Sequence, residues 1–152
     1  MLIGIDASRA NKPQKTGVEW YSFHLIQALK KFTVKDGNSW ILYTREPLTG
    51  PLAELPENWY EVRAKWPPKR LWTQVRLSWE MWRRPVDVLF TPGHVLPPVR
   101  PEKSVVTIHD VGFRRLPKLY KQADKSYHEH STKRIAKTEA RIITVSEFSG
   151  HE

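Results

Sequence analysis

The sequence predicts an α/β fold: a doubly wound, mostly parallel, Rossmann-like sheet with strand order 3-2-1-4-5-6 and helices on both faces. Three observations carry that expectation. Short apolar runs alternate with stretches of helical period, the pattern of successive βαβ units. The run Ser104-Val105-Val106-Thr107-Ile108 is apolar or β-branched throughout, as strands buried on both faces are. Two runs stop at polar residues, Val86–Thr91 before Pro92-Gly93-His94 and Ser104–Ile108 before His109-Asp110. Those residues then fall on the carboxyl edge of the sheet, where open α/β folds bind ligands.

The elements follow in order. Leu2-Ile3-Gly4-Ile5-Asp6 is the first strand, and a polar loop with Arg9, Lys12 and Lys15 follows it. Thr16 is the expected N-cap of a helix in which Val18, Tyr21, Leu25, Leu29 and Phe32 form the inward face. Asp36-Gly37-Asn38 turns the chain into a second strand, Ser39–Thr44, and a proline-rich loop leads to a weaker third, Trp59–Arg63. Lys69 to Arg84 has helical period. Leu71, Val75, Trp79 and Trp82 share one arc, with Trp72 at its edge and Lys69, Arg76 and Arg83 lined up beside it. Pro85 ends that helix. Val86–Thr91 and Ser104–Ile108 are the fourth and fifth strands, joined by a stiff loop with prolines at 92, 97, 98 and 101. Leu119–Ala140 is mostly helical, with Tyr120, Ala123, Tyr127 and Ile135 inward. Arg141–Val145 is the sixth strand, and Ser146 caps a helix start.

Composition narrows the function classes. A length of 152 residues suits one domain with a real core. There is no cysteine, which excludes disulfides, thiolate metal sites and cysteine catalysis. No apolar run approaches the roughly 20 residues needed to span a bilayer. The start Met-Leu-Ile-Gly-Ile-Asp has no basic segment of the signal-peptide kind. The expected location is cytoplasmic, with a peripheral place on the inner face of the membrane as a variant. The net charge of +9 favours an anionic partner. The stripe of Lys69, Arg76 and Arg83 beside Trp72 has the look of a membrane-surface helix. A sheet-covering helix with a solvated polar face is the plainer alternative. No nucleic-acid motif is present, so no specific nucleic-acid partner is expected.

The loop after the first strand holds neither a dinucleotide fingerprint nor a P-loop. One glycine, Gly17, opens the helix. Its backbone can receive a phosphate or carboxylate there, or it can simply ease the turn. His109 and Asp110 are placed for chemistry at the end of their strand. Alternatively, Asp110 caps a turn and His109 is a satisfied loop residue. His94 falls on the same edge. His128-Glu129-His130 lies on one helix with its histidines about 200° apart, an unfavourable arrangement for a shared metal. No metal or other cofactor is expected.

Five segments in order then resemble the N-terminal half of a family 4 glycosyltransferase, a retaining enzyme of the GT-B fold: Ile5-Asp6-Ala7-Ser8-Arg9, Lys15-Thr16-Gly17-Val18, Asp87-Val88-Leu89-Phe90, Val106-Thr107-Ile108-His109-Asp110 and Ile143-Thr144-Val145-Ser146-Glu147-Phe148-Ser149. The resemblance covers essentially the whole chain. It implies a single acceptor-binding domain over 1–152, incomplete at its C-terminus, without the domain that binds the nucleotide-sugar. Such a chain is expected to be inactive alone. Its partners would be a nucleotide-sugar donor, reached only with a second domain, and a glycan or lipid-linked acceptor. The resemblance assigns His109 a place beside the transferred sugar with Asp110 next to it. Thr16 and Gly17 fall near the donor diphosphate, and Ser146 and Glu147 on the same edge. Arg9 and His94 complete the candidate substrate-binding set. Glu19 stands close to where the family often carries a second glycine. The family's E-x7-E pair belongs to the other domain; Glu46/Glu54 and Glu139/Glu147 share its spacing but not its context. A non-catalytic module that docks on an anionic membrane or polymer is the alternative from another class.

Overall fold

The computed structural model describes residues 1–67, 71–109, 129 and 131–146. Six strands form one parallel sheet: β1 (Leu2–Asp6), β2 (Ser39–Thr44), β3 (Trp59–Arg63), β4 (Val88–Thr91), β5 (Ser104–Ile108) and β6 (Arg141–Thr144). Their order is β3-β2-β1-β4-β5-β6, as the alternation of elements predicts. The register sets Ile5 against Leu42 and Phe90, Thr91 against Val106, and Ile108 against Thr144. Every pair is parallel, so each connection must cross a face of the sheet.

One face is covered by α1 (Gly17–Phe32). Ile26 packs there with Ile5, Leu42, Trp40, Trp59 and Phe90. The indoles of Trp40 and Trp59 stack with centroids 5.0 Å apart, and the Trp59 Nε1–H donates to Thr33 Oγ1 at the helix end. The buried residues of α1 are Glu19, Ser22, Ile26 and Lys30. The inward face is therefore turned about one residue from the one expected, and Phe32, expected inward, is 84% exposed. Two charged residues can lie on the buried arc because each is bonded at its tip. Lys30 Nζ donates to the carbonyls of Pro51, Leu52 and Glu54 at 3.1, 2.7 and 2.9 Å, closing the β2–β3 connection onto the helix. Burial lowers its pKa to about 8, against the opposing pull of Glu54.

The opposite face carries a π-helical turn, Trp72–Leu77, that runs directly into α2 (Ser78–Arg83). Trp72, Leu77 and Met81 pack there on Tyr43, Val86 and Leu89. A close approach in this layer needs Gly4: a Cβ on it would stand 2.8 Å from the Tyr43 ring and 3.2 Å from Val86. Of the helix expected over 69–84, residues 72–83 are helical and residues 69 and 70 lie outside the described residues, but its apolar arc points the other way. Leu71, Val75, Trp79 and Trp82 are 53%, 45%, 52% and 66% exposed. The π turn is the reason. Its wider pitch puts residues five apart, Trp72 and Leu77, on one side, and Met81 continues that side at α-helical spacing. The indole Nε1–H of Trp72 donates to the Ala64 carbonyl at 2.8 Å and fixes the inward side.

Beyond β5 a helical stretch over 131–136 lies on the same face as α2, with Ile135 packed on Leu96, Val106 and Ile108. Tyr120, Ala123, Tyr127, His128 and His130 lie outside the described residues. Glu129 pairs with Lys133 at 2.9 Å on the surface. Among the described residues, no helix is long and apolar enough to cross a membrane.

Candidate functional site

The carboxyl ends of β1, β4 and β5 lie side by side, and the N-terminus of α1 opens onto the same edge. His109 immediately follows β5. Its backbone N–H donates to His94 Nε2 at 2.8 Å, and its own Nε2 lies 2.9 Å from the Pro92 carbonyl. A carbonyl only accepts, so His109 carries a proton on Nε2. His94 Nε2 accepts, so the proton of its neutral ring is on Nδ1. The two rings meet edge to face at 5.3 Å. Tyr21, in the second turn of α1, also meets the His109 ring edge to face at 4.7 Å, and its hydroxyl lies 3.3 Å from Thr107 Oγ1. Ser131 Oγ donates to the His94 carbonyl at 2.8 Å. The histidines that the sequence places on one edge are thus in contact, joined through the ends of neighbouring strands.

Arg9 and Thr16, expected among the substrate-binding residues, are tied to one acid in this structure. Both donate to the carboxylate of Glu19, which is only 6% exposed. Arg9 reaches Oε1 at 3.2 Å and Lys12 reaches it at 2.9 Å. The Thr16 hydroxyl and its backbone N–H bond Oε2. The N–H contact is one half of a capping box, and the acid also lies on the positive end of the α1 dipole. Burial by itself would raise this carboxyl. The Thr16 hydroxyl and the Lys12 ammonium outweigh it and hold the group at about 2, against its ordinary 4.5. Arg9 nonetheless keeps 48% of its side chain in solvent. Gly17 begins α1 with nothing within 4 Å of where a Cβ would stand, so its backbone faces open space.

Asp6 closes the edge from below. It is buried at the end of β1, accepting from the Ser8 N–H and the Thr73 hydroxyl, each at 3.0 Å. Burial pushes its carboxyl up despite those bonds and the nearby Arg9. Ser146 is exposed, two residues past β6 on the same edge. Asp110 and Glu147 lie outside the described residues, as does Lys69 of the expected surface stripe. The rest of that stripe divides. Trp72 is buried and bonded to Ala64, which removes it from any surface role. Arg76 is engaged by Glu80 at 2.5 Å and by the Lys65 carbonyl. Arg83 is exposed.

Tyr21, Glu19, Asp6 and Thr73 were not singled out as site residues by the sequence. Thr16-x-x-Glu19 is a capping-box pattern and could have identified the acid as an organiser of the loop. The contacts of Tyr21 with His109 and of Thr73 with Asp6 join residues far apart in the chain and leave no local signal. Among the described residues, no group of three or more His, Asp or Glu is arranged to hold a metal ion. Comparison with family models, with curated proteins and with solved structures returned no match.

The Glu19 cluster sets a pH dependence of stability. A carboxyl held at about 2 in the fold and near 4.5 when released stabilises the fold fully above pH 4.5, and that contribution disappears as the pH falls to 2. Arg9 and Lys12 are half exposed, so solvent screens the pairs, and the contribution is roughly 2 kcal/mol. Glu19→Gln is expected to lower the unfolding free energy by about that amount near neutral pH and by little near pH 2. Urea denaturation of both proteins at the two pH values measures it; an equal loss at both would assign the effect to packing.

Proposed function

We propose that this chain is the N-terminal, acceptor-side domain of a retaining glycosyltransferase of the family 4, GT-B kind, which moves a sugar from a nucleotide-sugar to a glycan or lipid-linked acceptor. One observation carries the reading. His109, the histidine of the Val106-Thr107-Ile108-His109 run, follows the end of an inner strand on the ligand edge, in contact with His94 and with Tyr21 near the start of α1. The five-segment resemblance of the sequence supports it, as does the strand order of the sheet.

The chemistry follows from that edge. A departing diphosphate suits the N–H groups at the start of α1, where Gly17 adds no side chain to keep it away. Arg9 and Lys12 outnumber Glu19 there, so the loop stays net positive. A sugar that turns cationic makes its hydroxyls better donors. A hydrogen bond between such a hydroxyl and the His109 imidazole would strengthen as the transition state is reached. His94 is a positioning residue, since its ring takes the His109 N–H.

In an enzyme that couples this domain to a donor-binding domain, His109→Ala is expected to lower kcat by about 10²-fold, about 2.7 kcal/mol, with a smaller change in KM. His94→Ala lowers it less, and His24→Ala, exposed on α1, leaves it near normal. Steady-state kinetics with a nucleotide-sugar donor measures all three. Near-normal kcat in a folded His109→Ala protein would return the histidine to a loop residue satisfied by its neighbours.

One observation favours a second reading, attachment to an anionic membrane surface. Leu71, Val75, Trp79 and Trp82 form an exposed apolar row, the two indoles 5.1 Å apart, with Arg83 and Arg84 exposed at its end. Aromatic rings beside basic groups suit a lipid interface. Replacing Trp79 and Trp82 with Ser is expected to abolish sedimentation with vesicles that contain phosphatidylglycerol. Arg83→Gln should weaken binding more at low salt, by about 1 kcal/mol. Equal binding to neutral and anionic vesicles would contradict this reading.

A further inference from the structure

A cavity of about 210 Å³ lies on the α2 face, between the start of the π turn, the β4–β5 loop and the helical stretch 131–136. It is separate from the Gly17 end of the edge described above. Leu71, Leu96 and Ile135 give it an apolar wall, and Arg100 and Arg134 both line it. Among the described residues, no carboxylate comes within ion-pairing distance of either arginine. Arg100 is part-buried and fixed: its Nη1 donates to the carbonyls of Pro97 and Pro98, each at 3.3 Å. Arg134 is exposed.

We propose that this cavity binds a small organic anion, a phosphate monoester or carboxylate carried on a compact apolar body. The anion would lie between Arg100 and Arg134, and the body against Leu71, Leu96 and Ile135. Two like charges beside one another, one of them part-buried, are costly until an anion comes between them. The two act on each other here: burial, and then the charge of Arg134, lower the pKa of Arg100. Paired guanidinium groups match the planar or tetrahedral oxygens of such an anion. Size selects the body. An apolar cavity of roughly 150 Å³ already accepts a benzene ring, so this one has room for a ring with a charged head. Ser131 lines the same cavity and holds the His94 carbonyl, which places the ligand next to the histidine pair without touching it.

Phenyl phosphate is the probe, with inorganic phosphate and phenol as its two halves, followed by amide and arginine side-chain NMR shifts and by calorimetry on the 152-residue chain. Phenyl phosphate is expected to bind once per chain, to shift the resonances of Ser131, Arg134 and Thr138, and to bind more tightly than either half. Arg134→Gln should weaken it about ten-fold or more, the scale of one charge-assisted pair. Lys31→Gln, exposed on α1, should leave it unchanged and so separates a built site from the diffuse pull of a chain with net charge +9. Arg100→Gln should act like Arg134→Gln. If losing its carbonyl bonds unfolds the loop, Arg134→Gln decides alone, because that side chain is exposed. Affinity unchanged in folded Arg134→Gln, or reduced as much by Lys31→Gln, would overturn the site. Inorganic phosphate binding as tightly as phenyl phosphate would overturn the apolar half of it.

Discussion

Parallel pairing is the constraint on which the rest depends. Because all six strands point one way, every connection must cross a face, and the inner strands β2, β1, β4 and β5 are packed on both faces while β6 at the edge stays largely exposed. Helices and crossings fill the faces with Ile26 on one side and Leu77, Met81 and Ile135 on the other. What remains open is the edge where strands end. Asp6, His94 and His109 reach that edge from distant parts of the sequence because their strands lie side by side there. The site is a consequence of topology before it is a consequence of any side chain.

Charge is managed inside this framework in three ways. Glu19 gathers Arg9, Lys12 and Thr16 onto one buried acid and so shapes the loop that leads into α1. Lys30 spends its ammonium on three carbonyls and ties the β2–β3 connection to the same helix. Asp6 is buried under hydrogen bonds from Ser8 and Thr73, which links the end of β1 to the π turn on the far side of the sheet. Arg100 and Arg134 are the exception. They meet at a cavity with no acid between them among the described residues.

The sheet was legible in the sequence because strand runs such as Val105-Val106-Thr107-Ile108 carry their own burial pattern, and alternation with helical stretches fixes the order. Thr16 as N-cap and Gly17 as first helical residue were legible for the same local reason. The helix faces were not. In α1 the inward arc includes Glu19 and Lys30, which a hydrophobicity pattern assigns to solvent. Their burial depends on partners far along the chain. At 72–83 a single π turn changed the phase, so the row of Leu71, Val75, Trp79 and Trp82 that reads as core faces outward. Of the site, the sequence indicated the edge and its two histidines. It could not indicate Tyr21 against His109, nor that Arg9 is engaged by an acid ten residues on.

The central claim is that His94 and His109 form one arranged pair, each ring set by the end of a neighbouring strand. Their tautomers test it most directly. Long-range nitrogen–proton NMR correlations on the imidazoles at about pH 8, above the ordinary histidine range, report which nitrogen carries the proton. The account predicts His109 protonated on Nε2, His94 protonated on Nδ1, and a slowly exchanging His109 amide proton. His94 protonated on Nε2, with a His109 amide that exchanges at the rate of an open loop, would contradict it.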